Sequence, residues 1–226
     1  MNTLIQPPSS LASRLTVQIP AGAMVLPGEL AVPSHATGLV IFAHGSGSSR
    51  KSPRNQFVAE ELRQAGLATL LFDLLTEEEG EADQISHEMR FDLDLLATRL
   101  VDATLWAAAQ PQTRDLQPGY FGASTGGGAA LMAAAQLRKR VGAVVSRGGR
   151  SDLAGHVLSK VEAPTLLLVG GYDDLVLRLN EEALENLHCI KRLHVIPGAS
   201  HLFEETNKLQ QVAQLAAAWF KNYLHS

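Results

Sequence analysis

The sequence predicts an α/β fold, a mainly parallel central sheet with helices on both faces and an antiparallel hairpin at one edge. Three observations carry that prediction. Apolar runs of strand length recur along the chain, they are continuous rather than alternating, and stretches of helical spacing separate them. Continuous runs are what strands buried on both faces require, and alternation of strand with helix is the mark of crossover connections in a parallel sheet.

The elements follow in order. Residues 15–19 alternate apolar and polar side chains, 20–22 carry turn chemistry and 26–32 contain Pro27 and Gly28, which together predict the edge hairpin. Residues 1–12 are expected to be a flexible N-terminus to a single domain covering 1–226. Buried strands are expected at 39–43, 68–72, 141–145, 165–169 and 193–196, with a short one at 120–121. Between them, Met89, Leu93, Leu96, Leu100, Ala103 and Ala107 keep the spacing of one helical stripe, with Asp92, Arg99 and Asp102 on the opposite face. Leu209, Val212, Ala216, Trp219 and Tyr223 make a second stripe near the C-terminus, with Glu204 and Glu205 at its positive end. The acidic stretch 76–88 reads as a solvated loop or frayed helix start. Leu153, Val157 and Val161 predict a helix lying on the sheet between 146 and 164, which leaves too few residues there for a large lid.

Composition narrows the function. The chain has 226 residues, 46% hydrophobic and 19% charged, in the range of soluble globular proteins. A net charge of −4 offers no field for condensing on nucleic acid or anionic lipid, and no apolar run reaches the length of a membrane span. The N-terminal residues lack the basic start of a secretory signal, so a cytoplasmic location is expected, without nucleic-acid or membrane partners. Cys189 is the single cysteine and reads as a buried structural thiol. No cofactor and no metal ligand set is expected.

Gly122-Ala-Ser124-Thr-Gly126 matches G-x-S-x-G in its demanding context, a short strand before and an Ala-rich helix after. A sharp strand-to-helix turn holds the serine in a strained conformation, and side chains in place of the glycines would collide with neighbouring backbone. The helix N-terminus behind it supplies free N–H groups for a developing oxyanion. A serine hydroxyl needs a base to remove its proton, so an acid and a histidine should follow at strand ends. The run 165–169 leads into Gly170-Gly-Tyr-Asp173, and 193–196 leads into Pro197-Gly-Ala-Ser-His201. Both polar residues fall past the C-terminal ends of predicted parallel strands, where open α/β sheets place their sites. His201 alone would read as a turn residue; the joint match makes it the general base. Asp174 and Asp152 are rivals for the acid. Asp173 is preferred as the first carboxylate after the glycine turn, and Asp152 is expected to cap the segment from Leu153. The backbone N–H groups of Thr125 and of Ser46, in the small-residue loop His44-Gly45-Ser46-Gly47, are the candidate oxyanion donors, and His44 is expected to order that loop.

His44-Gly45-Ser46-Gly47, the glycine-rich 122–128 elbow, Ala163-Pro164-Thr165 leading to Gly170 and Asp173, and Gly198-Ala-Ser-His201 together resemble the dienelactone hydrolase family of α/β hydrolases, over about 15–224. The resemblance implies a Ser124, Asp173, His201 triad acting on a small-molecule ester, lactone or thioester. It departs at the nucleophile: the enzymes that give the family its name use cysteine, and this chain has Ser124. Ser146-Arg147-Gly-Gly-Arg150, after the 141–145 strand, makes Arg147 and Arg150 candidates for an anionic substrate group, against the commoner fate of pairing with acidic residues of neighbouring loops. Two other readings compete. The loop 45–52 falls one residue short of the phosphate-cradling G-x-x-x-x-G-K-[ST], with Arg50 where a flexible glycine should stand. A hydrolase fold retained as a binding module without chemistry is the other, and the presence of all three triad residue types speaks against it.

Overall fold

The computed structural model describes residues 11–225, so the expectation for 1–12 lies outside the described residues except that 11 and 12 already belong to the first strand. In chain order the elements are β1 (Leu11–Ala21), β2 (Met24–Pro33), β3 (Leu39–Ala43), α1 (Pro53–Gln64), β4 (Ala68–Phe72), α2 (Glu77–Ser86), α3 (Leu93–Ala109), β5 (Pro118–Ala123), α4 (Thr125–Leu137), β6 (Ala143–Arg147), β7 (Thr165–Gly170), α5 (Asp174–Asn186), β8 (Lys191–Ile196) and α6 (Lys208–Tyr223). A 3-10 helix, Ser151–Lys160, fills the β6–β7 connection.

The strands form one eight-stranded sheet in the order β1-β2-β4-β3-β5-β6-β7-β8. The N-terminal hairpin docks antiparallel on β4, and every other pairing is parallel. The predicted α/β architecture is therefore the observed one. Every residue of β3, β4, β6 and β7 is buried, which explains why their sequences run apolar without alternation. Alternate residues feed two cores. Ile41, Leu70, Tyr120, Val144 and Leu167 meet Leu96 and Leu100 of α3 and Leu131 of α4, while Phe42, Phe121, Val145 and Leu168 meet Val58 and Leu62 of α1 and Val212, Ala216 and Phe220 of α6. Burying an aromatic such as Phe121 or Phe220 is worth about 1.5–3 kcal/mol, so these two layers hold the strand ends in register.

The structure departs from the sequence expectations in several places, one being Cys189, which is half-buried at the end of the α5–β8 connection and not a fully buried thiol. A 3-10 turn at Arg138–Arg140 closes through Val141 N–H to Arg138 O, so β6 starts at Ala143, not 141, and its last two residues are Ser146 and Arg147. The acidic 76–88 stretch is not a solvated loop: Thr76 and Glu79 form a reciprocal capping box and α2 runs ten residues. Arg99 is not on a solvent face of α3 but 4% exposed, because Glu79 takes its guanidinium in a fork at 2.6 and 2.7 Å. Within the Ser151–Lys160 3-10 helix the buried residues are Ser151, Ala154 and Leu158, so its tighter winding presents a face other than Leu153 and Val157, while Val161, just past it, is buried as expected. No further segment is inserted there to make a lid.

Candidate active site

Ser124 sits between β5 and α4 with φ 51° and ψ −122°, a conformation an L-residue holds only when its surroundings impose it. Its neighbours show what imposes it. A Cβ on Gly122 would lie 2.4 Å from Gly126 O, and one on Gly126 would lie 2.1 Å from Ala43 O, so α4 can press against β3 and β5 only with glycine at both positions. The Ser124 N–H donates to Arg147 O at 3.2 Å, and Ser124 O accepts from the N–H groups of Gly127 and Arg150, both at 2.9 Å. The Ser124 backbone is thus fastened to the end of the adjacent strand β6.

The candidate acid and base, Asp173 and His201, lie on two neighbouring loops that are stitched together. Gly171 N–H donates to Ile196 O and Tyr172 N–H to Ala199 O, both at 2.9 Å. Gly170 lets the two loops touch, since a Cβ there would meet Ala199 O at 2.4 Å. Asp173 is the N-cap residue of α5, but its side chain makes no cap bond and instead accepts from His201 Nδ1 at 2.6 Å. An ionised carboxylate can only accept, so Nδ1 carries the proton and Nε2 is left as the basic nitrogen. Asp174 lies exposed inside α5, and Asp152 accepts from Arg150 Nε at 2.9 Å and Nη2 at 2.7 Å instead of capping the 3-10 helix. Ser124 and His201 flank the same turn: Arg147 O holds the Ser124 N–H, and a Cβ on Gly148 would lie 3.4 Å from the His201 ring.

The loop after β3 covers the start of α4. A Cβ on Gly45 would be 3.1 Å from Ser124 Cβ, and the Ser46 N–H donates to Thr125 Oγ1 at 2.9 Å. Thr125 is 2% exposed, at a helix start whose first N–H groups have no partner within the helix. His44 Nε2 accepts from Leu74 N–H at 2.9 Å, which puts its proton on Nδ1, directed at Gly45 O at 3.0 Å. Burial pushes its pKa below the ordinary histidine value, so His44 is a neutral brace between two loops. Arg50 is not a phosphate-wrapping residue: its backbone N–H and its guanidinium are both bound by Asp73. Of the arginines singled out in the sequence, Arg150 is paired with Asp152, whereas Arg147 is 8% exposed with its Nε and Nη1 unbonded. Sequence reading missed Asp73, Glu79 and Arg99 as the residues that fix this end of the molecule, because each acts through a partner distant in sequence.

Beside Ser46 and Thr125 opens a cavity of about 770 Å³, walled by the 44–51 loop, by Asp73 and Leu74, and by Glu77, Glu81 and Gln84 of α2. Among the described residues no group of three or more His, Cys, Asp or Glu is placed to hold a metal ion, and no helix is long and apolar enough to cross a membrane.

The dienelactone hydrolase family model matches residues 26–224. The crystal structure of a dienelactone hydrolase from Anabaena variabilis is 60% identical and superposes with a TM-score of 0.93, covering 94% of this chain and 99% of that one. The fold is shared with Est1E from Butyrivibrio proteoclasticus, 16% identical with a TM-score of 0.76 over 92% of this chain and 98% of that one. It is shared also with a Xanthomonas campestris α/β serine hydrolase described as without lid, 19% identical with a TM-score of 0.73 over 96% and 97%. Two curated proteins from Mycobacterium tuberculosis strains, each named a putative phosphoribosyl transferase, are 57% identical over 208 residues. That match takes in 92% of this chain but 46% of theirs, so the chain spans less than half the length of those relatives. With the family match running across both core layers and all the strand-end loops, the chain belongs to the dienelactone hydrolase family of α/β hydrolases.

Proposed function

We propose that this protein is a serine-dependent hydrolase of small carboxylic esters, lactones or thioesters. The observation that carries this reading is the Asp173–His201 hydrogen bond set against Ser124 on a strained elbow, all three around the 147–148 turn. Ser124 Oγ attacks the substrate carbonyl while His201 Nε2 takes its proton, and Asp173 keeps the ring in the productive tautomer and offsets the charge that forms on it. The tetrahedral oxyanion lies against the N–H groups of Thr125 and Ser46, the latter turning from Thr125 Oγ1 to the substrate oxygen. His201 then gives its proton to the leaving group, and water, activated by the same nitrogen, releases the acid from Ser124. The cavity next to the oxyanion loop has charged residues in its wall, among them Arg50, Asp73, Glu77 and Glu81, which suits a small, hydrated substrate better than a fatty acyl chain.

The name carried by the mycobacterial relatives suggests phosphoribosyl transfer instead. It belongs to proteins more than twice as long as the matched stretch, and that stretch is the one bearing the serine elbow. The loop 45–52 lacks the glycine a phosphate cradle needs, and the Arg50 that replaces it is held by Asp73. A serine-directed fluorophosphonate decides between them. Stoichiometric labelling of Ser124, with turnover in a screen of esters, thioesters and lactones, is the expected result; nucleotide or phosphoribosyl-pyrophosphate binding without labelling would overturn it.

A further inference from the structure

We propose that Asn180 is a positioning residue for hydrolysis, its amide bolting the helix that begins beside Asp173 to the 148–151 turn, which fastens Ser124 and packs on His201. The assignment rests on the hydrolase reading and adds what keeps the acid–base pair aligned with the nucleophile.

The observation behind it is a polar side chain where the helix calls for an apolar one. Val176, Asn180 and Ala183 are the buried residues of α5, so Asn180 lies in the middle of the stripe that faces the interior, with none of its surface exposed. Asparagine is a weak helix former, and an amide taken out of water is costly unless its polar atoms find partners. Here they do. Oδ1 accepts from Ser151 Oγ at 2.9 Å, and Nδ2 donates to Gly149 O and to Val176 O, both at 2.8 Å, which uses both of its hydrogens. One of the three bonds stays inside the helix; the other two leave it for the turn.

The two segments that Asn180 joins carry the triad. On the helix side, Val176 lies in the first turn of α5; Asp173 O accepts from the Leu177 N–H at 2.8 Å, and the Asp173 carboxylate holds His201 Nδ1. On the turn side, Gly149 lies between Gly148, where a Cβ would be 3.4 Å from the His201 ring, and Arg150, whose N–H donates to Ser124 O at 2.9 Å. Against α4 the same turn is held by close packing. A Cβ on Gly127 would lie 2.8 Å from Gly149 Cα, and one on Gly128 would lie 2.8 Å from Arg150 O. Ser146 Oγ, which a Cβ on Gly149 would overlap, is buried without a partner, so its contact with the turn is steric.

This placement bears on the rate. Proton transfer from Ser124 Oγ to His201 Nε2 needs the two atoms within hydrogen-bond reach, and a displacement of about 1 Å caused far from the reacting atoms can cost about a hundredfold. Asp173 and His201 can move as a unit, because their loops are bonded to each other through Tyr172 N–H and Ala199 O. Asn180 sets where that unit stands relative to Ser124. Without its link to Gly149 and Ser151 the pair keeps its own hydrogen bond and drifts from the serine hydroxyl.

The test uses Asn180→Ser, Ser151→Ala and the double variant. A helical serine bonds the carbonyl four residues back, here Val176 O, and cannot reach Gly149, so Asn180→Ser satisfies the helix and severs the link. Each protein is labelled to completion with a serine-directed fluorophosphonate to count competent sites. Then kcat and KM for p-nitrophenyl acetate are measured well below the melting temperature, and kcat is expressed per labelled site. Full labelling is expected, with kcat per site lowered roughly 10- to 100-fold in Asn180→Ser, KM changed less than about threefold, and a kcat loss of about threefold in Ser151→Ala. The double variant should be no slower than Asn180→Ser, because both changes cut one link. A merely structural asparagine gives the opposite pattern, fewer sites labelled and each turning over at the wild-type rate. That pattern, or losses that multiply in the double variant, would overturn the positioning role. Should Asn180→Ser not fold, Ser151→Ala decides, and an unaltered kcat per site there would overturn it. Wild-type protein that labels and turns over the ester beside unaffected variants sinks this role alone; wild-type protein that does neither sinks the hydrolase reading and the role with it.

Discussion

In the proposed reaction the hydroxyl of Ser124 is the smallest group on which hydrolysis depends. Ser124→Ala removes one oxygen from a turn held by backbone bonds, so folding should be unchanged while hydrolysis falls by about 10⁴–10⁶-fold; ester turnover with matched far-UV and thermal denaturation profiles is the measurement. Asp173→Asn should lose far more activity than Asp174→Asn, since Asp173 holds His201 Nδ1 and Asp174 lies exposed in α5; equal losses would show that the orienting acid is another residue. His44 carries a pH prediction. Its folded pKa is depressed by burial, so at acidic pH the unfolded chain binds a proton that the folded one refuses. The contribution is therefore complete above the unfolded value near 6.5 and is lost as pH falls from there toward the lower folded value. Denaturant unfolding between pH 7.5 and 5 should show stability declining by up to about 1.4 kcal/mol per pH unit. His44→Gln, which can still accept from Leu74 N–H, should flatten that slope, and an unaltered slope would assign it to other groups.

Among the elements, α2 is held by two arginines from outside it, Arg90 on Asp83 and Arg99 on Glu79. Its capping box starts the helix, but its apolar content is low, and Arg99 from α3 ties Glu79 to Leu74 O at 2.6 Å. That guanidinium also holds the Glu79 carboxyl below its usual range. Arg99→Met should cost about 3 kcal/mol by leaving Glu79 half-buried without its partner, and hydrogen exchange should show α2 losing protection first. Gly80 gives the opposite case. It lies in the helix interior, and an alanine methyl there would have nothing within 4 Å, so Gly80→Ala should stabilise by about 0.5–1 kcal/mol. Gly126→Ala sets the other extreme, because its methyl would overlap Ala43 O and force α4 off the sheet. Soluble expression and the melting temperature of the two alanine variants, measured side by side, test both statements.

At the scale of the whole molecule, the strand-end loops after β3, β5, β6, β7 and β8 assemble one polar edge with no inserted cap over it. The β6–β7 connection, where a cap would be accommodated, is spent on a 3-10 helix whose buried residues pack into the core. Acetyl and butyryl esters should therefore be turned over without interfacial activation. A chain-length series across the solubility limit checks this, and a rate that jumps when micelles form would reveal a hydrophobic cover. Cavity walls supplied by α2 and the 44–51 loop should instead make the rate sensitive to polar substituents on the substrate.

The sequence by itself determined the sheet and placed the candidate residues Ser124, Asp173 and His201 in order after strand ends. Strand runs at 39–43 and 68–72 coincide with β3 and β4, because a strand buried on both faces must be apolar at every position and that is a local property. Ser124, Asp173 and His201 are legible as candidates for a related reason: each lies near glycines the backbone requires, Gly122, Gly126 and Gly170 for close approach and Gly198 for its positive φ of 69°. Only the tertiary structure decided the fate of the charged side chains. Glu79 and Arg99 are 20 residues apart and Arg50 and Asp73 are 23 apart, so no spacing rule on one element pairs them. Arg147 and Arg150 look alike in the sequence, yet one ends inside a buried strand without a carboxylate and the other finds Asp152 two residues on. Arg147 is the last residue of β6, two positions beyond Val145 of the core layer formed with α1 and α6, and Arg54 of α1 acts on it, whereas Arg150 lies past the strand end. Periodicity reports which face of an element is apolar; which charge meets which partner is set by contacts made only after the elements pack.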